Sequence, residues 1–273
     1  MRVTPLSPCI GARVDSISIT AIDAALAEVL NDIWLEHHVL VVPGGTLRED
    51  ELIAFARCFG NVEMARKQSK LAGRPEIMVI SNIRENGETL GALPDGELSF
   101  HFDRIHQKIP NKAGVLHAIE LPSIGGDTCF SNMCAAYDAL LPSMKARIDG
   151  LTALNTYDYG KTTAEAKQLS ARTPSAVHPV VRIIPETGRK ALYVCRLMTD
   201  CIIGLNAAES RVILDALFDH VEDSQFQYAH HWTVGDTLIW DNRCTIHART
   251  DFPSSERRLM KRVTVGDSVA PYY

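Results

Sequence analysis

Apolar positions along the chain recur first at helical spacing and then in short β-type runs, and this change of period sets out the expected elements. Ile22, Ala25, Leu26, Val29, Leu30, Ile33 and Trp34 follow the i, i+3, i+4, i+7 rule of an amphipathic helix, with Thr20 ahead of them as the expected N-cap. Val39–Val42 is a wholly apolar run closed by Pro43-Gly44-Gly45, the pattern of a buried strand and turn. A second helix is expected next. Thr46 and Glu49 have capping-box spacing, Leu52, Phe55, Ala56 and Phe59 supply the stripe, and Gly60 stands at the expected C-terminal cap.

From Glu76 onward strand-like runs dominate: Ile77–Ser81, Ala113–Glu120, 177–184, 191–194, 237–240 and 262–265. Asn86-Gly87, Gly125-Gly126 and Pro185-Glu186-Thr187-Gly188 are turn signals, the last a hairpin between two strands. Helices are expected at 133–148, broken by Pro142, and at Ala207–Val221. The polar stretch 155–176 has weak periodicity and reads as a long loop, a candidate gate. Strands interleaved irregularly with turns argue against a doubly wound sheet and for a mainly β sandwich or jelly roll with flanking helices.

Composition narrows the class. With 273 residues, 46% hydrophobic and 22% charged, residues 1–273 read as a single globular domain with one large core. A net charge of −5 offers no basic field for a phosphate backbone, so nucleic acid is not an expected partner. Apolar runs fall far short of the roughly 18 residues of a membrane span. The first ten residues, broken by Pro5 and Pro8, lack the core of a secretory signal, so the cytoplasm is the expected location. The seven cysteines form no CxxC pair and read as reduced, mostly buried thiols. GxGxxG, GxxxxGK[ST], GxSxG and HExxH are absent from the sequence, which leaves the usual nucleotide-binding and serine-hydrolase readings without a motif.

The densest chemistry lies in Leu98-Ser99-Phe100-His101-Phe102-Asp103. In an extended segment His101 and Asp103 share one face while Phe100 and Phe102 take the other. An imidazole and a carboxylate so placed, joined by a distant second histidine, make the facial set that holds ferrous iron with adjacent positions open. Alone the tripeptide is weak evidence, and a lone histidine is more often a hydrogen-bonded core residue than a ligand. Among ten histidines the best third member is His247, which follows an apolar strand. Arg258 and Arg262 follow in a largely apolar run. On the surface they are ordinary charge; if buried, each needs an anionic partner.

His101-x-Asp103, Gly125-Gly126-Asp127-Thr128, Trp240-Asp241-Asn242-Arg243 through His247, and Arg257-Arg258 through Arg262 together resemble the taurine dioxygenase and aryloxyacetate herbicide dioxygenase family. Four motifs in family order, with Phe59-Gly60 and His178-Pro179-Val180-Val181-Arg182 besides, extend the resemblance over nearly the whole chain. It implies a double-stranded β-helix, or jelly-roll, core. It implies an enzyme that uses Fe(II), 2-oxoglutarate and O2 to hydroxylate a small molecule, releasing succinate and carbon dioxide. By the same resemblance His101, Asp103 and His247 would bind and serve the iron, and Thr128 and Arg258 would hold 2-oxoglutarate. A carboxylate at Asp103 favours oxygen transfer over halogenation. Homo-oligomers, dimers or tetramers, are common in the family.

The resemblance also marks a substrate pocket. Arg262 matches the arginine that holds a sulfonate in the taurine enzyme, which points to an anionic substrate: a sulfonate, sulfate, carboxylate or relative. Ala65, Gln68 and Glu97 replace other taurine contacts, so taurine itself is not expected. Arg104 would add positive charge unless alternation turns it to solvent, and Tyr157 and Met198 stand where two phenylalanines line the taurine pocket. The alternatives are a jelly-roll metal-dependent hydrolase or isomerase, which leaves Thr128 and Arg258 without work, and a non-catalytic small-molecule binding protein.

Overall fold

The computed structural model describes residues 1–92, 96–157 and 173–273. Eleven strands build its two larger sheets. In chain order they are β1 (Arg2–Pro5), β2 (Ala12–Asp15), β3 (Val39–Val42), β4 (Ile77–Ser81), β5 (Leu98–His101), β6 (Ala113–Glu120), β7 (Thr128–Asn132), β8 (Gln227–His230), β9 (Thr237–Asp241), β10 (Thr245–Arg249) and β11 (Leu259–Val265). The larger sheet has the order β1-β2-β3-β9-β6-β11-β4 and the smaller β8-β7-β10-β5. All neighbours are antiparallel except β2 and β3.

The period of two along each strand decides what lies on which side of the larger sheet. Leu40, Val42, Ile77, Val79, Ile239, Val263 and Val265 face outward. There they meet Leu30 and Trp34 of α1 (Ala24–His37) and Leu52, Phe55 and Ala56 of α2 (Glu49–Arg57). Val39, Val41, Ile80, Leu116, Leu238, Trp240 and Met260 face inward, onto Phe130 of the smaller sheet. The smaller sheet is covered on its other side by α3 (Met133–Ala139), α4 (Pro142–Ile148), α5 (Ala207–Val221) and a three-stranded sheet. This is the expected jelly roll with flanking helices. Arg262 and Thr264 share the parity of Met260, so β11 turns them into the space between the sheets.

Several local expectations change. Asp23, not Thr20, caps α1, its carboxylate accepting from Leu26 N at 2.8 Å. The box at α2 is Arg48 with Glu51, whose carboxylate accepts from Arg48 N at 2.8 Å; Thr46 lies outside it, and Gly60 lies three residues beyond the end of the helix. Stretch 177–184 is two strands, Ser175–Pro179 and Val181–Ile183, interrupted at Val180, where the chain passes from one sheet to another. Pro142 opens α4 at its first turn, where no donor is needed, so 133–148 is two helices. Asn155 and Thr156 belong to the strand Thr152–Thr156; residues 158–172 of the expected gate lie outside the described residues. All seven cysteines are free, but only Cys134, Cys195 and Cys244 are buried.

Candidate active site

His101 and His247 stand opposite each other in the β5–β10 pairing, ring centroids 4.2 Å apart. Asp103 completes the group: His101 Nε2 lies 3.8 Å from one of its oxygens and His247 Nε2 3.7 Å from the other. The ligand-type atoms of all three lie within 4.8 Å of one another, in a buried position. His101 Nδ1 donates to Ser99 O at 2.9 Å, since a carbonyl can only accept; that bond fixes the tautomer and leaves the Nε2 lone pair facing Asp103. Burial, with the charge of Arg262, favours the neutral form of both imidazoles, lowering His101 and lowering His247 well below its ordinary value. Burial presses Asp103 upward, but the charge and hydrogen bonds of Arg262 outweigh it and hold the carboxyl well below the usual range. Two neutral nitrogens and one carboxylate fit a divalent cation such as Fe(II).

Asp103 does not reach the group along a strand. β5 ends at His101, Phe102 is fully buried, and the chain turns, with Gln107 N bonding to Arg104 O at 2.8 Å. Asn242 fastens the turn: its Oδ1 accepts from Asp103 N at 2.8 Å, and its Nδ2 donates to Asp103 O and Asn111 O, both at 3.0 Å. Arg262 grips both oxygens of the Asp103 carboxylate, one at 3.1 Å, and lies over the Trp240 ring.

A small cavity of about 50 Å³ opens beside the histidines, lined by Thr128, Trp240, Arg249, Arg258 and Arg262 among others. Arg258 is 2% exposed, donates from Nη2 to Gly126 O at 3.1 Å, and among the described residues has no partner at Nε. Burial and then the charge of Arg249 press its pKa down, the signature of a cation placed to meet an anion. The Gly125-Gly126 turn makes room for it. Both glycines have positive φ, and a Cβ on Gly126 would come 3.1 Å from Arg258 Nε. Trp232 Nε1 donates to Thr128 Oγ1 at 3.0 Å.

On the other side lies a cavity of about 330 Å³ lined by His101, Asp103 and Arg262, by the cations Arg66, Lys67 and Arg104, and by Met78, Leu98, Leu197, Met198 and Tyr157. Arg104 is here because the strand has ended; it holds a left-handed conformation (φ 56) and pairs with Glu63. His106 stacks on Tyr157, and burial with Arg66 and Arg104 brings it down to about 4. Glu97, expected in this pocket, is instead exposed in a surface cleft with Arg196 and Glu222. The reason is a register shift. His101 pairs with His247 but Leu98 with Arg249, three residues against two, and this bulge puts Leu98 on the cavity face in place of Glu97. Arg66, His106, Trp232 and Arg249 lie outside the metal and cosubstrate motifs of the sequence, whereas Asn242 stands within Trp240-Asp241-Asn242-Arg243.

Residues 2–264 match the family described as taurine catabolism dioxygenase TauD, TfdA family. The chain belongs to this family. It is 33% identical over 276 residues to the (S)-phenoxypropionate/alpha-ketoglutarate-dioxygenase of Sphingobium herbicidovorans, covering 94% of this chain and 92% of that one. It is 33% identical to the alpha-ketoglutarate-dependent 2,4-dichlorophenoxyacetate dioxygenase of Cupriavidus pinatubonensis, covering 96% of each. The crystal structure of AAD-2 in complex with Mn(II) and N-oxalylglycine superposes with a TM-score of 0.84 at 25% identity, over 100% of this chain and 99% of that one. As a family member the chain is an oxidoreductase, a dioxygenase that depends on Fe(II), 2-oxoglutarate and O2. Among the described residues no helix is long and apolar enough to cross a membrane.

Proposed function

We propose that this dioxygenase hydroxylates a small organic anion, a carboxylate, sulfonate or sulfate ester with an apolar body, through the residues just described. The observation that carries this reading is that two cavities meet at His101 and Arg262, the larger reaching Asp103 and Arg104 and the smaller His247 and the buried Arg258. His101, Asp103 and His247 would hold Fe(II). Bound there, the ion supplies O2 activation coupled to oxidative decarboxylation of 2-oxoglutarate.

Arg258 takes the distal carboxylate of 2-oxoglutarate as a fixed fork, and Thr128 donates its hydroxyl to the same molecule. Arg262, with Arg104 and Arg66 nearer the mouth, draws in and orients the substrate anion. Glu63 pairs with Arg104. Met78, Leu98, Leu197, Met198 and Tyr157 hold the apolar body and keep water out. The metal-dependent hydrolase and the silent binding protein lose ground because Arg258 and Thr128 would then be desolvated without a ligand to meet. The reading also carries a single domain over 1–273, a cytoplasmic location and assembly into dimers or tetramers, which light scattering checks.

The test is an anaerobic titration with Fe(II) and then 2-oxoglutarate, watched for the visible charge-transfer band of a chelated keto acid. A screen of carboxylates, sulfonates and sulfate esters for substrate-dependent succinate release follows. A folded, iron-loaded protein without the band overturns the residue assignments; a band with release only for uncharged compounds overturns the anionic substrate.

A further inference from the structure

A second buried cluster, outside the catalytic machinery, joins His38, Cys134 and Cys244. Their donor atoms lie within 4.8 Å of one another, and all three residues are buried. The backbone holds them together. His38 follows α1 in a left-handed conformation, with N bonded to Trp34 O at 2.7 Å and O accepting from Asp241 N at 2.8 Å. Cys244 O accepts from Met133 N at 3.0 Å, which brings Cys134 alongside.

The histidine tautomer decides what the cluster can do. Arg189 Nη1 lies 3.1 Å from His38 Nε2. A guanidinium can only donate, so Nε2 accepts and the ring proton sits on Nδ1. That nitrogen is 3.3 Å from Cys244 Sγ. The atom turned to the sulfurs is therefore a donor without a lone pair, which suits a thiolate and not a metal ion. Hydrogen bonding from Cys244, then from His38 with the charge of Arg189, holds the Cys134 thiol below its ordinary range against burial, whereas burial pushes Cys244 up. The His38 donor lies against Cys244 Sγ with Cys134 Sγ beside it, so the pair can share one thiolate, a nucleophile with a thiol for a neighbour.

We propose that Cys134 and Cys244 are an oxidation site, a dithiol that hydrogen peroxide closes to a disulfide. The Cys134 thiolate attacks one peroxide oxygen; the S–O bond forms, the O–O bond breaks, and hydroxide leaves to take up a proton as water. The Cys244 sulfur then attacks Cys134 sulfur, the S–S bond forms, and the S–OH oxygen leaves as water with the Cys244 proton. In sum two thiols and one peroxide give one disulfide and two waters, the sulfurs oxidised and the peroxide reduced. Both cysteines are fully buried, and the far nitrogen of His38 is capped by the half-exposed Arg189. The site therefore selects a water-sized oxidant over a bulky disulfide reagent.

The test treats the full, reduced chain, freed of metal with chelator so that no iron consumes the peroxide, with graded hydrogen peroxide. Remaining thiols are then alkylated in denaturant and the peptides mapped by mass. The expected result is a species about 2 Da lighter in which the Cys134 and Cys244 peptides are linked. Arg189→Ala, which leaves both sulfurs in place, should slow its formation several-fold. Absence of the link in folded wild-type protein, a link between other cysteines, or an unchanged rate in Arg189→Ala overturns the proposal. So does tight Cd(II) binding with thiolate charge-transfer absorption, lost in Cys134→Ser, which would make the cluster a metal site.

Discussion

The Trp232 indole N–H donates to Thr128 Oγ1 at 3.0 Å, and this one bond fixes how the threonine can be used. With an acceptor site occupied, the hydroxyl proton must point elsewhere, and the cavity shared with Arg258 is beside it. His230 packs edge-on against Trp232 at 4.5 Å and is itself held between Tyr228 and Asp236. Trp232→Phe should raise KM for 2-oxoglutarate about 5-fold, the worth of one hydrogen bond, with substrate KM unchanged. In a Thr128→Ala background the same change should do nothing further. Steady-state kinetics on the four proteins of this cycle decide it, and additive effects would sink the idea.

Arg258→Ala should weaken 2-oxoglutarate binding at least 100-fold, because a charge-assisted fork in a dry cavity is worth about 3 kcal/mol. Gly126→Ala should reproduce part of that loss, since the new methyl meets Arg258 Nε and φ is +71. Calorimetric titration of the Mn(II) protein measures both. Normal affinity in Arg258→Ala would remove that residue from the cosubstrate site.

Arg262 has two partners to serve, and the metal state should decide which matters. In metal-free protein it is the fork that neutralises buried Asp103, so Arg262→Ala should destabilise by about 3 kcal/mol. A bound cation takes over the same oxygens, so Mn(II) should raise Tm more in the variant than in the wild type. Thermal scans with and without Mn(II) check this, and equal shifts would contradict it. With iron present, the variant should lose substrate affinity before 2-oxoglutarate affinity.

Asn242→Ala leaves the Asp103 amide and carbonyl, both buried, without their side-chain partner. Metal affinity should fall about 10- to 100-fold, as for other groups that orient a ligand without touching the metal. Competition against a fluorescent chelator reads this out. An unchanged affinity would mean that the turn holds Asp103 unaided.

Acid should unfold the metal-free chain earlier than its carboxylates alone require. Burial lowers His101, His106, His117, His178 and His247 from 6.5, His106 to about 4. Between those values the unfolded chain binds more protons than the folded one, so stability present above pH 6.5 is lost as pH falls. Tm should therefore drop between pH 7 and 5, and drop less in His106→Gln. A flat profile over that range would count against neutral buried histidines.

Much was legible in the chain because the relevant physics is local. Ile77–Ser81, Ala113–Glu120 and Ala207–Val221 have the bounds their periodicity predicts, since burying one face of a strand or helix imposes that period. Spacing points to His101 and Asp103, the family likeness adds the roles of His247, Thr128, Arg258 and Arg262, and the fold brings all six around two adjoining cavities. Glu97 failed because a bulge in β5 reverses alternation, and a bulge depends on the partner strand. Thr20 and Thr46 failed because several residues near each helix start could cap it, and tertiary packing set where the helix began.

The sequence by itself determined the period of each element, the family and the residue types able to hold a metal and two anions, because these are properties of composition and spacing. Only the tertiary structure decided that Asp103 leaves its strand to be clasped by Asn242, that Trp232 aims Thr128, and that His38 turns a donor to two cysteines. Each of those relationships joins residues more than 90 positions apart. Their direction is set by strand register and by which hydrogen-bond partner each buried group is left with, and neither is encoded in a local pattern.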